Sequence, residues 1–297
     1  MEQTESKIYF LLTLGIIIIS FSAILISLAS APPIIIAFYR MFFAFLILTP
    51  FFLRRYSDKL NLFLDYRPLV AGFFLAIHFI FWITAFEYTN VANAVIFVAM
   101  QPLFTLILEV FFARDDLREG VLFGVILALV GSIIISIGDL NILFEKLWGD
   151  LLALSAAFFA ATYLFLGRSF REKVDYFPYI YTIYTYAAFF LGIFTLIRGL
   201  PLTGYGTTNY LYFLGLALGP TLVGHSVLNY SVRFLPTTIV SLSILGEPII
   251  TTILAWFILG EGITPVTLIG GLFIMGGIYW SVTRKQSEDE LVSEPVE

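Results

Sequence analysis

An acid, two hydroxyl groups and a proline lie together in one long apolar stretch near the end of the sequence. Ser243 precedes Glu247 by four residues and Thr251 follows it by four, so the three side chains would share one face of a helix. Pro248 follows the acid directly. A carboxyl group on such a face can bind a polar or cationic part of a ligand or exchange a proton. Alternatively, it is a permanently hydrogen-bonded group that helps the helix to pack.

The two histidines also lie in apolar stretches, each with a second notable side chain four residues further on. Trp82 follows His78, and Asn229 follows His225. One interpretation places these groups in a ligand site, where Trp82 offers an aromatic face to a cation or a ring. The other makes each histidine a neutral imidazole that is hydrogen-bonded to a neighbouring helix. No metal site and no cofactor are expected, because two histidines, no cysteine and one distant acid do not form a preorganised ligand set.

The stretches that carry these residues are hydrophobic enough to lie in a membrane. Of 297 residues, 60% are hydrophobic and 12% are charged, and the mean hydropathy is +0.96. Runs of about 20 apolar residues, each long enough to cross roughly 30 Å of hydrocarbon as a helix, recur along the chain. The ten predicted spans cover residues 8–29, 33–54, 67–88, 91–112, 118–138, 149–168, 175–197, 208–231, 235–259 and 263–283. We therefore expect an all-α membrane protein that contacts the lipid bilayer and no nucleic acid.

The basic residues predict how the chain is oriented. Thirteen Lys and Arg residues fall on the side of the N-terminus and two, Lys146 and Arg198, on the other side. Because cytoplasmic loops carry the excess of basic residues, both termini are expected in the cytoplasm of a multi-pass plasma-membrane protein. Residues 286–297 are acidic and polar, which is typical of a disordered cytoplasmic tail. The sequence leaves open whether the protein is a monomer or a homodimer.

The two halves of the chain resemble each other. A shift of 146 residues aligns 94–137 with 240–283 without a gap and matches prolines and glycines, which hydrophobicity alone does not explain. We expect the glycines to mark close helix contacts and the prolines to act in packing or as hinges. The matched residues include Pro102 with Pro248, Gly131 with Gly277, and Gln101 with Glu247.

The repeat predicts two domains, residues 1–140 and 141–285, with five spans each. An odd number of spans inverts the second domain relative to the first, and such inverted repeats are common in secondary transporters with a binding site near the membrane midplane. A repeat-related position in span six makes Tyr163 a further cavity candidate. The predicted substrate-binding residues are Glu247, His225, Asn229, Ser243, His78, Trp82, Gln101 and Tyr163.

The aligned segments of the two halves resemble a known protein family. The segment "LGEPIITTILAWFILGEGITPVTLIGGLFIMGGIYW", Leu245 to Trp280, and its fainter counterpart "MQPLFTLILEVFFARDDLREGVLFGVILALVGSIIIS" resemble the EamA family of the drug/metabolite transporter superfamily. The first half departs from the family pattern, because "ARDD" stands where "LGE" is usual. The resemblance implies export or exchange of small metabolites, such as amino acids, by alternating access through a central cavity. It also implies that spans five and ten are peripheral.

The remaining charged and aromatic residues are expected to have structural roles. Arg40, the cation inside span two, is expected to form a structural ion pair with Glu87, with anion recognition as the alternative. Glu261 is expected to be a solvated interfacial charge. The tyrosines of span seven are expected to face lipid or form an aromatic belt.

The sequence is compatible with three classes of function. A secondary transporter of a small neutral or zwitterionic substrate, with a proton as a candidate coupling ion, is favoured by the duplicated halves. An ion channel or a scaffold without transport activity is the alternative. An enzyme is least favoured, because the sequence shows neither a nucleophile with a base nor clustered acids and histidines.

Overall fold

Apolar helices make up most of the chain in the computed structural model, which describes residues 2–113, 119–140, 144–171, 174–231 and 243–293. A 3₁₀ segment, Ser57–Leu64, joins the second and third helices, and π-helical segments occupy Ala217–Gly224 and Ala255–Leu259. No strand occurs within the described ranges. The helices are α1 (Glu2–Leu28), α2 (Pro33–Arg55), α3 (Tyr66–Ala85), α4 (Val91–Val98), α5 (Gln101–Ala113), α6 (Glu119–Leu140), α7 (Phe144–Arg171), α8 (Tyr176–Ile197), α9 (Gly206–Leu216), α10 (His225–Ser231), α11 (Gly246–Leu254) and α12 (Pro265–Ser293).

Within these ranges, eight helical stretches are long and apolar enough to cross a membrane, judged by length and composition. Two shorter apolar helices, Leu122–Ile135 and Gly246–Leu259, lie in the fifth and ninth predicted spans. The all-α membrane class is therefore confirmed, whereas the count of ten spans stays a prediction. The predicted ninth span begins at residue 235, and residues 232–242 lie outside the described part of the chain.

The last helix is longer than the sequence suggested. α12 continues to Ser293, so residues 286–293 of the segment expected to be a disordered tail are helical. Four of these eight residues, Gln286, Glu288, Glu290 and Leu291, have high helix propensities, which favours extension of the helix beyond its apolar part. Residues 294–297 lie outside the described ranges.

Two predicted spans are interrupted just before their prolines. The first is divided into α4 and α5 by a break after Val98, and Pro102 is the second residue of α5. Pro248 is the third residue of α11. A proline in the first turn of a helix loses no intrahelical hydrogen bond, because its position has no acceptor in the preceding turn. Both prolines therefore begin a new helix at equivalent positions of the repeat.

Helices α6 and α12 approach so closely that their backbones touch. A Cβ atom added to Gly124 would lie 2.4 Å from the carbonyl oxygen of Gly277, and one added to Gly131 would lie 2.5 Å from that of Gly270. Only glycine allows such an approach. The structure thus places Gly131 and Gly277 in direct helix packing at the side of the bundle.

The helices that surround the centre come from both halves of the chain. α3 packs against α7 and α8, α2 packs against α8, and α1 packs against the π segment Ala217–Gly224, α10 and α11. A large buried cluster joins these helices, with Phe52 of α2 stacked on Tyr181 of α8 at 4.1 Å between ring centroids. Side chains that are far apart in sequence are thereby brought to one central region.

Candidate functional site

A cavity lined by both polar and apolar side chains lies between the two halves of the chain. Its volume is about 100 Å³, whereas one water molecule needs roughly 10–15 Å³. The cavity therefore has room for several waters or part of a small organic molecule. Its walls come from α2, α3, α7, α8, α10 and the π segment between α9 and α10. The lining residues are Arg40, Met41, Leu75, Phe79, Tyr163, Leu164, Tyr176, Tyr179, Ile180, Ile183, Tyr184, Thr221 and His225.

Arg40 is the cation among the described lining residues, and its position is fixed by contacts with two other elements. Its Nε donates to the Thr221 hydroxyl at 2.8 Å, and its Nη1 donates to the Ser22 hydroxyl of α1 at 3.0 Å. The guanidinium carbon lies 4.5 Å from the centroid of the Phe79 ring, which gives a cation–π contact. Only 2% of the Arg40 surface is exposed, so this charge is held inside the protein.

The expected ion pair between Arg40 and Glu87 does not form. Both residues are described, and the salt bridges found in the described ranges do not join them. Glu87 lies exposed in the turn that follows α3, whereas Arg40 reaches inward to hydroxyl groups. Similar predicted depth in the membrane was the basis of the expectation, and depth alone does not define which way a side chain points.

Two of the predicted site residues, Tyr163 and His225, line the cavity together with Arg40. Glu247 lies in the first turn of α11, is partly buried and is not among the lining residues. Within the described ranges its carboxylate accepts no hydrogen bond. The role of Glu247 in binding therefore stays a prediction.

His78 and Trp82 form a layer behind the cavity. His78 Nδ1 lies 2.9 Å from the carbonyl oxygen of Ala156, and since a carbonyl can only accept, Nδ1 carries the proton and Nε2 is left as an acceptor. The two rings stack at 5.9 Å, and the guanidinium carbon of Arg40 lies 5.8 Å from the Trp82 ring. The buried indole Nε1 of Trp82 has no hydrogen-bond partner in the described part of the chain.

The other predicted residues are not brought to the cavity wall. Gln101 begins α5 and Ser243 lies at the edge of a described range, and neither lines the cavity. Thr251, on the same predicted face as Glu247, donates instead to the carbonyl oxygen of Ser20 at 3.1 Å. The backbone of Asn229 lies in α10, and its side chain is outside what the structure describes.

The tyrosines of the seventh predicted span were assigned incorrectly. Tyr176, Tyr179 and Tyr184 of α8 line the cavity together with Ile180 and Ile183. Together with Ile180 and Ile183, these tyrosines recur at spacings of three and four residues, which places all five on one face of a helix. That periodicity was visible in the sequence and was the signal for a shared inward-facing surface.

Comparison with known families identifies the type of protein. The model of the EamA-like transporter family matches residues 6–137 and again residues 147–283. The chain belongs to this family. An "Uncharacterized transporter" of Archaeoglobus fulgidus is 26% identical over 95% of the chain and 99% of its own length. A "Probable amino-acid metabolite efflux pump" of Escherichia coli K12 is 27% identical over 89% and 90%.

A solved structure shares the fold of this EamA protein. A chain titled "Crystal structure of protein" covers 94% of the present chain and 98% of its own length, with a TM-score of 0.64 and 17% identity. The family and the names of its relatives indicate a transporter and not an enzyme. In the described ranges, no group of three or more His, Cys, Asp or Glu side chains is placed to hold a metal ion.

The acid of the EamA-like "LGE" segment has a structural contact that the sequence did not predict. Glu261 Oε2 accepts from the backbone N–H of Val91, the first residue of α4, at 2.9 Å. Asn90 caps the same helix by accepting from the N–H of Asn93 at 2.7 Å. Glu261 is therefore a partly buried cap that joins the second half to the first, not a solvated loop charge.

Proposed function

We propose that this EamA-family protein is a secondary transporter of a small neutral or zwitterionic metabolite, such as an amino acid, and that it works by alternating access. The observation that carries the proposal is the cavity, which Arg40 lines from the first half and Tyr163 and His225 line from the second. A site shared by two halves can open to either side when the halves move relative to each other. The substrate-binding roles of Glu247, His78 and Trp82 belong to the same proposal.

The proposed architecture is ten spans in two inverted repeats, residues 1–140 and 141–285, with both termini in the cytoplasm. Two observations support it. The family model matches each half once, and Pro102 and Pro248 begin helices at equivalent repeat positions. Export or exchange is the proposed direction, in keeping with the printed names of the Escherichia coli and Salmonella typhimurium relatives, "Probable amino-acid metabolite efflux pump".

Counterflow in proteoliposomes tests the transport activity. The purified full-length protein is reconstituted, the vesicles are loaded with each of the common L-amino acids in turn, and uptake of the labelled compound is followed. A carrier gives saturable uptake that depends on the internal substrate. Fast ohmic current without counterflow would indicate a channel, and the absence of both would indicate a scaffold without transport activity. Either of these results would contradict the proposal.

A further inference from the structure

Arg40 has more hydrogen-bond donors than the protein uses. A guanidinium group carries five N–H donors in a planar fork. In the described ranges, Arg40 donates only to Thr221 and to Ser22. Its Nη2 atom makes no hydrogen bond, and it is not among the fully enclosed polar atoms without a partner. Three donors of a nearly buried cation are therefore left for something in the cavity that Arg40 lines.

The contacts that Arg40 does make hold these donors in place. The Thr221 hydroxyl, which accepts from Nε, itself donates to the carbonyl oxygen of Leu216 at 2.9 Å. The Phe79 ring covers one face of the guanidinium plane. A planar cation with two anchored atoms and one covered face presents its free edge in a defined direction. This is the arrangement that binds a carboxylate through two parallel hydrogen bonds.

The charges around the cavity select the class of anion. Arg40 is the cation among the described lining residues, and none of those residues is an acid. A phosphate dianion would meet one positive charge, which leaves its second charge uncompensated. A molecule with a single carboxylate matches the single cation.

We infer that Arg40 is the carboxylate anchor of the substrate site. The inference rests on the proposed transport function and gives its substrate class, a molecule that carries a carboxylate. It replaces the structural ion pair that the sequence suggested for Arg40. If Arg40 only connected α2 to α1 and to the π segment, its substitution would weaken the binding of every ligand equally.

Binding measurements with compounds that lack one charged group separate these roles. Calorimetric titration of the purified full-length protein compares L-leucine with isoamylamine and isocaproate, and L-phenylalanine with phenethylamine and hydrocinnamate. The wild-type protein should bind at least one amino acid roughly tenfold or more tightly than its amine, because a charge-assisted hydrogen-bonded pair is lost with the carboxylate. In Arg40→Lys and Arg40→Met this ratio should fall toward one. Arg67→Lys, whose parent side chain pairs with Asp65 at the start of α3, should keep the wild-type ratio.

The outcomes distinguish the inference from the transport function. An amine that binds as tightly as its amino acid, or a ratio that Arg40→Lys leaves unchanged, would overturn the inference. If Arg40→Met does not fold, the charge-retaining Arg40→Lys still gives the ratio. Binding of neither amino acid would also overturn it, while counterflow with another solute would preserve the transport function. Absence of counterflow for every solute would contradict the transport function itself.

Discussion

The two halves of the chain meet in two regions, and these regions differ in how many of their polar groups are hydrogen-bonded within the protein. At the cavity wall, Arg40 keeps unused donors, and the Glu247 carboxylate of α11 accepts no hydrogen bond from the described residues. At the start of α4, a seam between the halves is closed by hydrogen bonds of 2.9 to 3.0 Å. The seam pairs are Thr89 with Asp150, the Val91 N–H with Glu261, and Thr267 with Asn93.

The comparison teaches how to separate binding from structural roles among buried polar groups. A buried polar group that serves only the fold is expected to have a partner, because an unpaired one costs free energy. The Val91–Glu261 and Thr267–Asn93 contacts of the seam follow this rule. Within the described ranges, Arg40 at the cavity wall, Glu247 and the indole N–H of Trp82 depart from it. We interpret these unused hydrogen-bond donors and acceptors as groups that bind substrate.

Glu247→Gln should have the largest effect. The variant keeps the side-chain volume but removes the charge that, in the proposed function, contacts a cationic group of the substrate. Loss of a charged hydrogen bond predicts amino-acid binding that is weaker by about ten- to a hundredfold in calorimetric titration. The thermal midpoint should change little, because the carboxylate accepts no hydrogen bond within the described ranges.

The matched control is Glu261→Gln, which changes an acid of the seam and should leave amino-acid binding intact. If Glu247→Gln and Glu261→Gln lost amino-acid binding equally, the distinction between a binding role and a structural role would be contradicted. A Glu247→Gln protein that keeps its affinity but no longer accumulates substrate under a pH gradient would instead assign proton exchange to this acid.

Glu261→Ala should mainly reduce stability. It removes the side chain that accepts from the Val91 N–H, and loss of a helix cap costs about 1 kcal/mol. The free energy of unfolding in mild detergent should fall by this amount, with counterflow retained in the folded fraction. Glu261→Gln keeps an acceptor oxygen and should recover most of the loss. A Glu261→Ala protein that has wild-type stability but lacks counterflow would indicate that Glu261 acts in substrate binding and not in the structure of the seam.

Trp82→Phe should weaken amino-acid binding while affecting the fold modestly. The indole N–H is enclosed and has no partner to lose among the described residues, and we expect it to reach substrate or water when the halves move relative to each other. One neutral hydrogen bond of about 1 kcal/mol corresponds to an affinity loss of roughly fivefold. Trp148→Phe is the control, because Trp148 is 52% exposed at the protein surface. Identical binding by both variants would assign Trp82 to packing alone.

The smallest expected effect is a pH dependence of the seam. Burial raises the pKa of the Glu261 carboxyl, although the Val91 N–H and Lys146 oppose the shift. The protonated folded state is thus favoured, so the stability contribution is greatest at low pH and is lost as the pH rises through the folded pKa. The thermal midpoint of Glu261→Gln relative to that of the wild type should therefore increase as the pH rises. A difference that is constant with pH would contradict this.

The helices and the repeat were predictable because their signals are local or periodic. A run of about 20 apolar residues indicates a membrane span by its length alone, and Pro102 and Pro248 mark equivalent breaks through backbone chemistry. The tyrosines of α8 also carried a local signal, since their spacing puts them on one face. The mistake there was to assume that this face met lipid.

The partners of buried polar groups were not predictable, because they come from distant parts of the chain. Arg40 and Thr221 are 181 positions apart, and Val91 and Glu261 are 170 apart. Nothing near Arg40 in sequence distinguishes a hydroxyl partner from an acidic one. Position in the folded bundle decided both contacts.

Labelling of a single cysteine tests most directly whether the cavity is the substrate site. The sequence has no cysteine, so Leu164→Cys introduces one thiol at the cavity wall. Trp148→Cys, near the exposed start of the same helix, is the control. The account predicts that a mixture of the common L-amino acids slows reaction of the Leu164→Cys thiol with a membrane-impermeant methanethiosulfonate reagent and leaves the control unchanged. A Leu164→Cys labelling rate that saturating amino acids do not alter would contradict it.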